Sequence, residues 1–330
     1  MPEIIGKQIE LGLAVENVRG TSPSQPEVWL RNVTANVIAK AEKVVDESKR
    51  GQLEDSENAR VVKKWYQGEV EGVLAADPIG YFFYNLYGIA NDTTVTTGVY
   101  SHVFTLQNSI QHASLSLFAK DGGAQQAVFK NGMLTSLEIT ASPDDLVRFS
   151  AEFMAAGEGA NASSPSYENT QYDFIGKDVS IKLADTEAGL TGATAISAKS
   201  LSVKWDVGAI IDYVLGSYSP DDIYNAKMSI EGEFVLNFSG ETYKDLFLGD
   251  TDKYMQITIA GTADIGGGNY PTITILFNKV KVMDWNRDGG NDELVTETIS
   301  FKAFYNDTDG QQSKVTLKNK TAEYDTAPTA

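Results

Sequence analysis

The sequence predicts a mainly β protein made of two tandem copies of one unit, each with a single short flanking helix. Three observations lead there. Apolar and polar residues alternate through much of the chain, the period of half-buried strands. Two distant segments, DLVRFSAEFMA (145–155) and ELVTETISFKA (293–303), share an acid-Leu-Val opening and a Phe-x-Ala close. A stretch without periodicity lies between the copies.

At the shift of 148 positions that relates those segments, Val147, Ala151 and Phe153 meet Val295, Ile299 and Phe301 on one strand face, and only Phe149 against Glu297 breaks it. Upstream, YQGEVEGVL (66–74) overlays IEGEFVLNF (230–238) at a shift of 164, pairing Gly68 with Gly232, Glu69 with Glu233, Val70 with Phe234 and Leu74 with Phe238. Each of these strands runs into a short helix. In the first, Asp77 is the expected cap, Pro78 the first helical residue, residues 81–84 an aromatic run and Gly88 the stop. In the second, Ser239 caps, Tyr243, Leu246 and Phe247 form the apolar stripe, and Gly249 closes. The two shifts differ by 16 residues, which reads as extra loop and strand in the first copy around NDTTVTTGVYSHVF.

Residues 155–173, rich in Gly, Ala, Ser and Asn, read as an extended bridge and place the boundary between a first domain at 1–160 and a second at 161–330. Two segments read as arms that reach out of the cores: residues 19–29, stiffened by Pro23 and Pro26, and the C-terminal NKTAEYDTAPTA. Residues 42–64 read as a solvated loop dense in both signs of charge, including Asp46, Glu47, Lys49, Arg50, Glu54 and Asp55. It is longer than a compact domain needs, which points to a contact function.

Catalytic chemistry finds no constellation. The only histidines, His102 and His112, read as strand surface residues, and paired acids such as Asp144 and Asp145 are turn neighbours. The absence of cysteine removes disulfides, thiolates and Cys-ligated metals. One string resembles a calcium loop, with Asp284, Asn286, Asp288 and Asp292 at ligand spacing; Val295 stands where a bidentate Glu is needed, so a hairpin turn explains it more simply. No catalytic residue or cofactor is expected. No apolar run is long enough to span a bilayer and the N-terminus lacks signal-peptide regions, so the chain is expected to be made in the cytoplasm, without membrane contact. A net charge of -18 opposes tight nucleic-acid binding without opposing its passage.

The segments GLAVENVRGTSPSQPEVWL, DESKRG, GEVEGVLAADPIGYFFYNLYG, HVFTLQNSIQHASLSLF and GMLTSLEITASPDDLVRFSAEFMA together resemble the major tail tube proteins of long, non-contractile-tailed bacteriophages. The resemblance implies β-sandwich or barrel-like tube domains whose inner strands close, in stacked rings, into one large barrel around a DNA channel. Its fused-domain subclass implies three chains per ring; six chains of a decorated single domain is the alternative. It also implies a virion location, tape measure and tail-end proteins as partners, and DNA that transits without specific binding. On that reading Glu69, Glu71, Glu231 and Glu233, on polar strand faces, are the candidate channel lining, and residues 42–64 the candidate contact between rings. The competing reading is a β-sandwich module that decorates a virion or binds carbohydrate; it predicts exposed aromatic loops, whereas the longest loop here is charged.

Overall fold

The computed structural model describes residues 5–47, 51, 53, 58–122, 125–161, 163–168 and 170–325. In chain order the first half supplies β1 (Ile9–Val15), β2 (Val28–Trp29), β3 (Val33–Val45), β4 (Ala59–Val73), α1 (Ile79–Tyr87), β5 (Gly88–Thr96), β6 (Val99–Leu106), β7 (Leu115–Asp121), β8 (Gln125–Ala141), β9 (Arg148–Ala155) and β10 (Gly157–Ala160). The second supplies β11 (Val179–Ala184), β12 (Ala198–Asp206), β13 (Ala209–Asp212), β14 (Asp222–Asn225), β15 (Ser229–Asn237), α2 (Thr242–Leu248), β16 (Lys253–Ala260), β17 (Thr272–Asp288), β18 (Thr296–Ala303) and β19 (Ser313–Asn319).

Eight strands lie side by side in one antiparallel sheet, in the order β3, β4, β9, β8, β12, β15, β18, β17. β8 and β17, each 17 residues long, leave this sheet halfway and continue into outer layers. One outer layer runs β2, β1, β7, β8, β10. The other runs β11, β16, β17, β19, β6, β5. The layers bury one continuous core that holds Leu13, Phe82 and Phe153 of the first half with Ile257, Phe277 and Phe301 of the second, so neither half closes its own core.

The same pairings occur twice. β9 and β18 run beside β4 and β15 so that Gly68 faces Phe153 and Gly232 faces Phe301. Both glycines are demanded by the ring above them: a Cβ would stand 2.7 Å from the Phe153 Cζ at Gly68 and 2.4 Å from the Phe301 Cζ at Gly232. The register of β8 against β9 breaks between Leu134 and Ser136, and that of β17 against β18 between Val282 and Asp284. A second break falls between Leu115 and Leu117 in β7 and between Lys253 and Met255 in β16. Such irregularities bend a strand locally, and they sit where β8 and β17 change layers. Glu297, the one residue out of pattern, is buried on the core face and accepts a hydrogen bond from Trp285 Nε1 at 2.8 Å, at the place where Phe149 packs on Phe82.

Several expectations are corrected. The N-terminal segment does not reach outward: Trp29 is buried in β2, and Arg19 is tied to Asp222 at 2.6 Å and to the Ile223 carbonyl at 2.6 Å. The described part of the C-terminal arm folds back under α1, where Tyr324 is fully buried and donates to the Asp77 carbonyl at 2.6 Å. Proline-stiffened and polar sequence reads as free chain, but a partly buried ion pair holds the first segment down and a buried aromatic anchor the second. The bridge is partly strand, since β10 pairs with β8. Asp77 does not cap α1, whose N-cap is Pro78; its side chain instead accepts from Lys320 N and Thr321 Oγ1, both at 3.1 Å. The N-cap of α2 is Glu241 rather than Ser239. Neither histidine is on the surface: His102 is held between Asp92 at 2.6 Å and Asn319 at 3.0 Å, and His112 between the carbonyls of Asn85 and Gln107.

The extra residues of the first copy form the β5–β6 hairpin, which crosses over to pair with β19 of the second half. Together with the C-terminal segment under α1, this hairpin straps the halves together.

Candidate functional site

One face of the eight-stranded sheet packs on the core, and alternation sends the other side chains to the opposite, open face. Glu69 and Glu71 on β4 and Glu231 and Glu233 on β15 all stand on that open face, exposed, while Val70 between the first two and Phe234 after the second two are buried. The structure therefore brings the four predicted lining residues onto one surface. Sequence reading missed their companions Glu152, Glu138, Asp206, Asp284 and Asp288, which cross-strand register places on the same face. The signal was available in the alternation of β8, β9, β12 and β17; what was missing was their adjacency.

Basic groups are fewer on this face, and two of them are taken up. Lys302 bonds Glu231 at 2.5 Å, which holds that carboxyl below the usual range, and Arg148 bonds Asp145 at 2.9 Å, just off the strand end. Hydroxyls partner two further acids: Ser150 Oγ donates to Glu69 at 2.9 Å and Ser202 Oγ to Glu138 at 2.7 Å. With nine carboxylates on it and fewer basic groups, the surface is a polar, net acidic wall.

Both ends of this sheet are open. Among the described residues β3 pairs on one side only, with β4, and the C-terminal half of β17 pairs on one side only, with β18. Unpaired edges of this length are templates for another strand.

The charged segment at 42–64 is a hairpin at its base rather than a loop. β3 continues to Val45 and β4 begins at Ala59, with Glu42 opposite Lys63 and ion-paired at 2.9 Å. Opposite charges across a ladder favour strand pairing, and that is how mixed charge became strand here. Asp46 extends the ladder through its N–H to the Asn58 carbonyl at 3.1 Å. Glu47 is exposed at the end of the described strand, and Lys49, Arg50, Glu54 and Asp55 lie outside the described residues. The β13–β14 hairpin leans on this base, with Lys63 over the Tyr213 ring and Lys64 N donating to the Tyr218 carbonyl at 2.7 Å.

The calcium string is not gathered into a site. Asp284, Asn286 and Asp288 alternate along one extended strand, where neighbours on a face are about 7 Å apart, and Asp292 sits in the turn beyond. Asp284 and Asp288 instead accept from the next backbone N–H, of Trp285 and Gly289. Among the described residues no group of acids or histidines could hold a metal, and no helix is long and apolar enough to cross a membrane. A cleft of about 440 Å³ beside α1 is lined by Glu27, Trp29, Asp77, Tyr81 and Lys320. Burial pushes the Glu27 carboxyl up to about 7, but its oxygen accepts from the Val15 N–H at 3.0 Å, a structural tie.

Compared with known proteins, residues 6–303 match the family model described as phage tail tube protein. No curated protein matches. Among solved structures, the SPP1 tail tube, determined by solid-state NMR and cryo EM, matches with a TM-score of 0.32 and 12% identity, covering 46% of this chain and 81% of that one.

Proposed function

This chain belongs to the phage tail tube protein family, and from that premise we propose that three copies close each ring of the tube, with the acidic face of the eight-stranded sheet as the channel wall. It is a structural protein of the virion, a component of the phage tail that self-assembles into a stacked tube. The family is that of a structural protein and not of an enzyme.

The observation that carries the three-chain reading is the eight-stranded sheet with both edges open and a pairing pattern that occurs twice within it. Two fused tube domains explain both facts. Three such sheets joined edge to edge make a barrel of about 24 strands, and in a closed barrel no edge remains. The open faces then line the channel, with Glu69 and Glu233 at equivalent places. At physiological salt their field reaches only about 8 Å, so they act as a wall to which phosphates do not stick while DNA passes. The charged segment at 42–64, whose described base is the β3–β4 strand pair, makes contacts between successive rings. Tape measure and tail-end proteins are the further partners that a tube of this kind takes; no cofactor is needed.

A reconstruction of assembled tubes tests the stoichiometry: three chains per ring with pseudo-sixfold symmetry supports it, and six chains per ring rejects it. The double substitution Glu69→Lys and Glu233→Lys tests the wall. It should leave folding intact and slow DNA ejection, and unaltered ejection counts against the lining role.

A further inference from the structure

We propose that the contact between neighbouring chains repeats, residue for residue, the contact between β8 and β12 inside each chain, so that the open edge of β3 pairs with the open edge of β17 of the next copy with Lys40 opposite Asp284, Ala39 opposite Trp285 and Ile38 opposite Asn286. The inference rests on the ring reading above and deepens it by naming the register and the element that the neighbour buries.

The register follows from two internal correspondences. β8 and β17 occupy the same place, because Leu137 pairs with Ala151 as Trp285 pairs with Ile299, and the breaks beside them coincide. β12 and β3 likewise match, because Val203 faces Gly232 as Val37 faces Gly68, and Trp205 faces Ile230 as Ala39 faces Tyr66. Within the chain β12 lies on β8 with Asp206 opposite Ser136, Trp205 opposite Leu137 and Lys204 opposite Glu138. Carrying that junction through the two correspondences gives the register stated.

Chemistry agrees with it at two positions. The inner junction sets one tryptophan, Trp205, against a leucine; the outer one sets one tryptophan, Trp285, against Ala39, so each junction holds one large ring and the side that supplies it is exchanged. One large ring at each junction suits contacts that pack to a similar depth, with Ala39 the smaller partner beside Trp285. Lys40 also meets Asp284, an opposite-charge cross-strand pair, where the inner junction has Asp206 and Ser136.

The helices supply an independent reason. α1 buries eight of its nine residues, and part of that cover comes from across the inner junction: Phe83 packs on Trp205 with centroids 6.0 Å apart, and Trp205 Nε1 donates to Tyr87 at 3.0 Å. α2 holds the same place beside β17, and none of its residues is buried. At the shift of 164 positions that relates β4 to β15, Phe247 corresponds to Phe83; it is only half-buried, with Leu248 largely exposed beside it. The missing cover is the neighbour's β3, whose core-side residues Ala35 and Val37 are only half-buried, whereas Leu201 and Val203 at the matching places of β12 are buried.

The chain has no cysteine, so introduced pairs report without background. In assembled tubes under mild oxidation, the variant carrying Ile38→Cys and Asn286→Cys should form reducible covalent trimers on denaturing gels. Variants displaced by two residues, Ile38→Cys with Asp284→Cys or with Asp288→Cys, should give about tenfold less, because directly opposite Cβ atoms lie about 5 Å apart and diagonal ones about 7 Å or more. Ile38 and Asn286 are exposed, so these changes leave the fold alone. A displaced pair that cross-links best overturns the register while the ring reading stands. Failure to form any ring or cross-link overturns both. In a second readout, Phe247→Cys should react with maleimide in the unassembled chain and be protected in tubes; equal reactivity in the two states overturns the burial of α2.

Discussion

α1 and α2 follow equivalent strands, β4 and β15, and have opposite fates. α1 is packed between Phe149, Phe104 and Trp205 and closed from outside by Tyr324, whose ring fills the space over Gly80 that any Cβ would block. α2 touches Phe234 through Tyr243 and is otherwise half-exposed. The difference teaches that burial in this fold is set by what lies across the next strand junction. One junction is inside the chain; on the proposed ring the other is completed by a neighbour.

That contrast can be broken in order of expected effect. Phe83→Ala should lower the stability of the unassembled chain by about 3–5 kcal/mol in denaturant unfolding, the cost of emptying a fully buried aromatic site. Phe247→Ala, at the matching place of α2, should cost under about 1 kcal/mol in the same measurement and yet lower the yield of tubes. Equal losses of stability would mean that α2 is already packed as firmly as α1.

The two glycines give the opposite control, because they are equivalent in surroundings as well as position. Gly68→Ala and Gly232→Ala should each destabilise by about 1–3 kcal/mol, since the new methyl meets a phenylalanine edge and a backbone carbonyl, of Asn36 and Ser202 respectively. A large effect at only one of them breaks the equivalence of β4 and β15.

A smaller effect concerns Glu27, which ties the N-terminal segment to β1. Its folded pKa, raised from 4.5 to about 7 by burial, lies above the unfolded one. Its contribution to stability is therefore fully present below pH 4.5 and lost as pH rises through about 7. Glu27→Gln removes that titration, so the fall in stability between about pH 4 and pH 8 should shrink by on the order of 1–2 kcal/mol relative to the parent, after allowing for solvent screening. An unchanged pH profile rules the burial penalty out.

Much of the fold was legible because it is written by period and by pairs. Gly68 with Gly232 and Phe153 with Phe301 carried the repeat, and alternation placed Glu69 and Glu233 on the polar side before any contact was known. A third match went unread: Ile5-Gly6-Lys7-Gln8 and Ile175-Gly176-Lys177-Asp178 each form a tight turn entering β1 and β11. In both, the isoleucine N–H donates at 3.1 Å to the side chain three residues on, Gln8 or Asp178. Four residues at a shift of 170 differ from both other shifts, so no single offset reveals them. Long-range burial was not legible either. His102 and Tyr324 are polar or terminal by sequence, and only the crossing of the β5–β6 hairpin onto β19 brings them into the core. The open edges of β3 and β17 were equally unreadable, because an edge is defined by what does not pair.

The central claim is that one chain supplies two copies of the ring unit and leaves one open junction at each end. A cryo-EM reconstruction of assembled tubes at side-chain resolution tests it most directly. The expected result is three chains per ring, β3 of each paired with β17 of the next, Glu69 and Glu233 facing the channel and α2 covered. Six chains per ring, or these glutamates on the outer surface with β3 and β17 still unpaired, would contradict it.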